Sequence, residues 1–183
     1  SEKYDTPFMV RLTTRVAHSR SLVELNEREE LELKEYNKDP QKYVMMPASA
    51  IGRHLVVEAR ENKLAADAAT LPVNRMEIND RKLGFITCGV AYQYVKEVCP
   101  EASVLKLGLV NPLPKKLIAE FASKVETLYV IEELDPVIET TVKAMGIPVI
   151  GKEKFSMIGE FSQNTIAAAF GKTVTAGVTA DSV

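Results

Sequence analysis

Tryptophan is absent from the 183 residues, histidine and cysteine occur only twice each, and aromatics make up 7%. Two histidines, His18 and His54, lie far apart without companion ligands, so a metal site is not expected. Cys88 and Cys99 form no CxxC pair and no metal-ligand spacing, and both are expected to be reduced residues of the core. A net charge of -2 gives no reason to expect nucleic acid or an anionic membrane surface as a partner. No apolar run reaches transmembrane length and no signal-peptide pattern is present, so a soluble cytoplasmic protein is the expectation. What is present is 46% hydrophobic and 26% charged, enough for one ordinary core with appended pieces.

The segment with the clearest organisation runs from Lys82 to Glu133. Leu83–Cys88 reads as a strand ending at Gly89, Val90–Val98 as a helix and Ser103–Val110 as a second strand. The turn Asn111-Pro112-Leu113-Pro114 leads to a helix over Lys115–Lys124 and a third strand over Thr127–Ile131. Short runs of Val, Ile and Leu alternating with helical patterns indicate βαβ units, and hence a mostly parallel sheet with helices on both faces. After Glu133, Asp135 is a candidate N-cap and Pro136 suits the first helical position, with Val137, Ile138, Thr141, Val142 and Met145 on the buried face. Pro148-Val149-Ile150 reads as a short fourth strand, and Asn164–Phe170 as a final helix. The small, polar stretch from Gly171 to Val183 is expected to be disordered.

Before this core, Phe8–Thr13 alternates apolar and polar residues like a half-buried strand. A lone strand cannot satisfy its backbone groups, so it either belongs to something larger from which the chain is cut or joins the edge of the main sheet. Residues 22–81 read as a charged linker and a long helix. Glu24–Lys42 is dense in charge, and Ile51, Leu55, Ala59, Leu64 and Ala68 approximate one apolar face of a helix from Ala48 to about Ala69. Asn74–Arg81 is polar and crosses to the sheet. The α/β domain itself is expected over 82–170.

Chemistry-bearing motifs are sparse. Gly89 follows a strand and precedes a helix, but a dinucleotide loop needs three glycines and Cys88-Gly89-Val90-Ala91-Tyr92-Gln93 has one. Gly171-Lys172-Thr173 looks like the end of a P-loop, yet Ile166 stands where the first glycine is required. Cys88, at a helix N-terminus, is either a thiol of lowered pKa or an inert core residue. Glu132 and Glu133 sit beyond the carboxyl end of a strand, where α/β sheets bind ligands. They could hold a cation or a basic group, or simply form a polar strand exit.

Several longer blocks, taken in order, are more specific. They are Thr13-Thr14-Arg15-Val16-Ala17-His18-Ser19-Arg20, Lys42-Tyr43-Val44-Met45-Met46-Pro47-Ala48 and Gly89-Val90-Ala91-Tyr92-Gln93-Tyr94-Val95-Lys96-Glu97. Val110-Asn111-Pro112-Leu113-Pro114, Leu128-Tyr129-Val130-Ile131-Glu132-Glu133-Leu134 and Gly159-Glu160-Phe161-Ser162 follow. Over about 7–170 the chain resembles the middle of the alpha subunit of indolepyruvate ferredoxin oxidoreductase. The resemblance implies a transketolase C-terminal-like domain, with residues 1–21 as the terminal strand of a truncated preceding pyrimidine-binding domain. The enzyme it implies oxidatively decarboxylates aryl pyruvates to aryl-acetyl-CoA and reduces ferredoxin. It implies thiamine diphosphate, magnesium and 4Fe-4S clusters for the parent enzyme, held outside this chain, which has neither a Gly-Asp-Gly sequence nor a cysteine-rich region. Implied partners are the remaining domains of the alpha subunit, a beta subunit, ferredoxin and CoA, with a homodimer also open.

On this reading the chain is inactive alone and has a structural and interface role. Thr14, Arg15 and His18 are the polar residues at the boundary with the preceding domain, at an interface or the active-site edge. Gly89, Glu132 and Glu133 are the strand-end candidates, and no residue is assigned to catalysis. Cys88 stands where the family is expected to have serine. Two alternatives remain: the same domain from another 2-oxoacid ferredoxin oxidoreductase, or a non-catalytic stand-alone interaction module.

Overall fold

The computed structural model describes residues 1–30, 32–33 and 35–173. The chain divides into two compact units, with the boundary between Arg60 and Glu61. The expectation for the tail beyond Thr173 lies outside the described residues.

The first unit holds α1 (Thr14–His18), α2 (Pro40–Tyr43) and most of α3 (Pro47–Asp67). Pro47 opens α3, as its fixed φ favours. Asp39 caps α2, its carboxylate accepting the Lys42 N–H at 3.1 Å. Asp5 gathers cations. Its carboxylate pairs with Lys42 at 2.8 Å and Arg53 at 2.9 Å, and its carbonyl accepts from Arg60. The bond from Lys42, followed by that from Arg53, lowers the Asp5 pKa to about 2.

The strand expected over Phe8–Thr13 is not formed. Phe8, Met9, Val10 and Leu12 are exposed, and among the described residues no partner strand supplies their backbone groups. Alternation alone does not make a strand without an edge to pair with. The apolar face of α3 is likewise only partly used: Ile51 and Leu55 are exposed, while Leu64 and Ala68 are buried.

The second unit is built on a four-stranded sheet of order β1-β3-β2-β4: β1 (Arg75–Glu77), β2 (Asp80–Cys88), β3 (Ala102–Leu107) and β4 (Thr127–Ile131). The last three are parallel, with Phe85 beside Val104 on one flank and Tyr129 on the other. Beyond β4, Ile150 adds a parallel bridge to Tyr129 rather than a full strand. The segment expected only to cross to the sheet contributes β1, an antiparallel edge against β3. It has three residues and carries Arg75 and Glu77, too short and too polar to show a strand pattern.

Right-handed crossovers explain where the helices go. The chain moves one way across the sheet from β2 to β3, then back past β2 to β4, so successive helices must cover opposite faces. Accordingly α4 (Ala91–Val98) and α7 (Gln163–Ala169) pack on one face with Phe85, Val104, Tyr129 and Ile131. On the other face, α5 (Lys115–Ala122) and α6 (Val137–Ala144) pack with Ile86, Leu105, Leu107, Leu128 and Val130. Alternate residues of each strand thus feed two separate cores, as a sheet buried on both sides requires. Thr87 is an exception within this apolar interior: its hydroxyl is buried without a hydrogen-bond partner. No helix among the described residues is long and apolar enough to cross a membrane.

Candidate functional site at the strand ends

In an open α/β sheet, the chain leaves two neighbouring strands in opposite directions at one point, and a crevice forms beyond their carboxyl ends. Here that point lies between β2, which exits through Cys88 and Gly89, and β4, which exits through Glu132 and Glu133. The structure therefore brings these three candidates, Gly89, Glu132 and Glu133, to the carboxyl end of the sheet.

Gly89 adopts φ +57° and a Cβ there would meet nothing within 4 Å. The glycine is explained by the left-handed turn into α4, not by close approach of other atoms. Cys88 is half-buried and packs with the cluster on the α5–α6 face, away from the α4 face. Cys99 is buried in the other cluster, and neither cysteine is in a disulfide.

Glu132 is 5% exposed, an uncommon setting for a carboxylate. Its Oε2 accepts the Ile138 N–H and its Oε1 the Glu139 N–H, each at 2.9 Å. These are the second and third residues of α6, whose first N–H groups have no partners within the helix. Pro136, at the cap position, provides no side-chain cap. The sequence expectation of Asp135 as N-cap is thus corrected. The cap is supplied from the end of β4, which reaches the helix because Leu134 turns the chain at φ +60°. Burial raises the Glu132 pKa against the opposing pull of the two N–H groups and of Lys152.

Glu133 has a parallel task. Its Oε1 accepts the Phe161 N–H at 2.8 Å, fastening the loop ahead of α7 to the exit of β4. Lys152 donates from its Nζ to the Glu132 carbonyl and lies 5.2 Å from the Phe161 ring centroid. Burial lowers the Lys152 pKa, partly offset by the surrounding carboxylates, Glu132 foremost. Glu139, buried on α6, accepts from Lys143 Nζ at 2.7 Å and from the Lys152 N–H at 2.8 Å. Gly151 makes room for it, since a Cβ at that position would fall 2.2 Å from Glu139 Oε2. The two glutamates singled out in the sequence therefore belong to a larger joint. Glu139, Lys152 and Phe161 complete it, and their spacing of 7 to 28 residues from the glutamates they bond left no local pattern to read.

Glu139 gives the joint a pH signature. Burial works to raise its pKa, but Lys143 and the Lys152 N–H bring it below its ordinary value of 4.5. A lowered folded pKa means that the native state binds fewer protons, so this stabilisation is complete above the ordinary value and is lost as pH falls through the folded one. In urea titrations between pH 3 and 7, Glu139→Gln should flatten the acid-side fall in the unfolding midpoint. An unchanged slope would remove Glu139 from this role.

Thr14, Arg15 and His18 lie together on α1 in the first unit, all exposed. Thr13, just before them, caps α1 by accepting the Val16 N–H at 3.4 Å. A second polar cluster, not anticipated from the sequence, lies where β1 meets α4. Glu77 pairs with Arg75 at 2.8 Å and Lys96 at 2.9 Å, and accepts from the Tyr92 hydroxyl at 2.7 Å. Among the described residues, no group of three or more His, Cys, Asp or Glu side chains is placed to hold a metal ion.

No protein-family model matches the chain. Curated relatives do. The chain is 38% identical over 79% of its length to indolepyruvate oxidoreductase subunit IorA of Methanothermobacter marburgensis, covering 25% of that protein. It is 34% identical over 83% of its length to the Archaeoglobus fulgidus subunit, and 32% identical over 94% to that of Thermococcus kodakarensis, covering 26% and 29% of them. The chain thus spans little more than a quarter of the relatives it matches. Among solved structures, it superposes with a TM-score of 0.51 on 2-oxoglutarate:ferredoxin oxidoreductase from Magnetococcus marinus, determined with 2-oxoglutarate, coenzyme A and succinyl-CoA bound. That match covers 69% of this chain and 23% of the other at 17% identity, and it supports the fold alone, α/β and transketolase C-terminal-like. The sequence matches extend over most of the chain, and through them it belongs to the indolepyruvate oxidoreductase subunit IorA family, corresponding to one segment of that subunit.

Proposed function

We propose that this chain is a domain of a thiamine diphosphate-dependent 2-oxoacid:ferredoxin oxidoreductase, acting on aryl pyruvates such as indolepyruvate. Its own role is structural, bracing the cofactor domains and contributing to the subunit interface, and it is inactive in isolation. The observation that carries the reading is the 31–38% identity to IorA subunits over 79–94% of the chain. In this proposal the partners are the rest of the subunit, a beta subunit, ferredoxin and CoA, and the enzyme works in the cytoplasm.

Thiamine diphosphate, magnesium and the 4Fe-4S clusters belong to other parts of the assembly in this proposal. Among the described residues, the strand-end glutamates and the two cysteines do not fit them. At the strand ends, both oxygens of Glu132 and one of Glu133 already accept backbone N–H groups, and Cys88 and Cys99 pack in separate cores. What the chain's polar residues do is hold α6 and the segment before α7 against the sheet.

Calorimetry tests the reading. The isolated chain should show no heat of thiamine diphosphate binding, whereas a full-length subunit bearing this sequence, assembled with its beta partner, should bind it and oxidise indolepyruvate in preference to pyruvate or 2-oxoglutarate. Tight binding by the isolated chain would overturn the structural role. Preference for another 2-oxoacid would reassign the substrate.

A further inference from the structure

Among the described residues of the second unit, the large apolar side chains left exposed are Val73, Val110, Leu134, Val137, Met157 and Ile158. All of them lie at the carboxyl ends of the parallel strands, in connections or, for Val137, at the first residue of α6. Val110 follows β3, and Leu134 and Val137 follow β4. Val73 is brought to the same end by Asn74, whose Oδ1 accepts the N–H groups of Gly108 and Leu109 at 2.9 and 3.0 Å. Met157 and Ile158 belong to the loop that Glu133 fastens through the Phe161 N–H. Scattered exposed apolar residues are normal on any surface, but confinement of all of them to one end is not.

We propose that this strand-end rim is the surface on which the remainder of an IorA-type subunit docks, through a mainly apolar face of its own. The proposal rests on the reading of the chain as a domain of that subunit. Two observations select this occupant. The larger part of each relative lies outside the segment that this chain matches, so family members carry ample further chain to cover the rim. The rim is also built, not frayed. Glu132 and Glu133 hold the segments around it by three backbone hydrogen bonds, although Leu134 must take a left-handed conformation and Ile158 stands 87% exposed. A non-glycine residue in that conformation carries strain that the surrounding contacts must offset.

Thiol labelling reads the rim directly. Val137→Cys and Ile158→Cys are made in the 183-residue chain and in a full-length subunit bearing it, with Glu101→Cys, exposed at the opposite end of β3, as control. Maleimide modification is followed at each introduced thiol by peptide mass spectrometry. The rim positions should react about ten-fold or more slowly in the full-length subunit than in the isolated chain, as for residues in an interface core, while Glu101→Cys reacts alike in both. Equal rates at the rim in the two proteins would overturn the proposal. So would protection in the isolated chain that grows with its concentration, because a second copy would then be the occupant. Indolepyruvate turnover by the same full-length subunit with its beta partner keeps the two readings apart. An active enzyme with an unprotected rim sinks the docking surface alone, and an inactive one sinks the functional assignment.

Discussion

Glu132→Leu should destabilise the second unit by roughly 3–5 kcal/mol, the range expected when a buried polar network loses one partner. The reason is the two N–H groups left behind. Ile138 and Glu139 donate to Glu132 from the first turn of α6, both residues are buried, and no other side chain caps that turn. Leucine fills similar space but accepts nothing, so each N–H would carry its own desolvation cost of about 1–3 kcal/mol. Glu132→Gln should fall between, since its carbonyl oxygen can accept from one N–H while its amide faces the other. Urea unfolding gives the stability change. Amide exchange at Ile138 and Glu139 should rise more than at Val130, which donates to Ile150 in the sheet. A loss below about 1 kcal/mol for the leucine variant would show that α6 does not depend on this cap.

Phe85→Ala is expected to cost about as much, roughly 3–5 kcal/mol, by a different mechanism. The Phe85 side chain is fully buried at the centre of the sheet, stacked at 5.5 Å on Tyr129 and edge-on at 5.4 Å to Phe170. Tyr129 and Phe170 also meet edge-on at 5.1 Å, so the three rings form a closed set linking β2, β4 and the end of α7. Removing the central ring leaves a cavity that two rings and a β-sheet cannot collapse to fill. Phe85→Leu should recover part of the loss, because most of the volume returns without the aromatic geometry. In chemical denaturation the midpoint should fall with an unchanged slope. A loss below about 1.5 kcal/mol would mean that the site repacks more freely than its neighbours suggest.

How far the fold was legible in the sequence depended on the range of the interaction involved. Strands β2, β3 and β4 were readable as short apolar runs, and helices α4, α5 and α6 by their helical spacing, with apolar pairs such as Ile118 and Phe121 on one side. Leu128-Tyr129-Val130-Ile131 is an uninterrupted apolar run in the sequence, and only the structure shows that it divides between two cores. Phe8–Thr13 carried a local period of two and forms no strand, since a strand also requires a partner that sequence pattern cannot supply. β1 carried no period at all and forms, because β3 offers it an edge. At the candidate site, Gly89, Glu132 and Glu133 were identifiable by their position after strands. Their roles were not, because Glu132 acts on a helix that begins five residues later and Glu133 on an N–H 28 residues away.

The fastening of both glutamates to backbone has a thermodynamic consequence for whatever meets this end of the sheet. The segments following β4 and preceding α7 are ordered already in the lone chain, by bonds internal to it. Their loss of conformational freedom is therefore charged to folding rather than to association, where ordering a rotamer-rich side chain costs about 0.5–1.5 kcal/mol. Association with such a surface can be fast and close to rigid-body, with backbone at the contact moving little between the free and joined states.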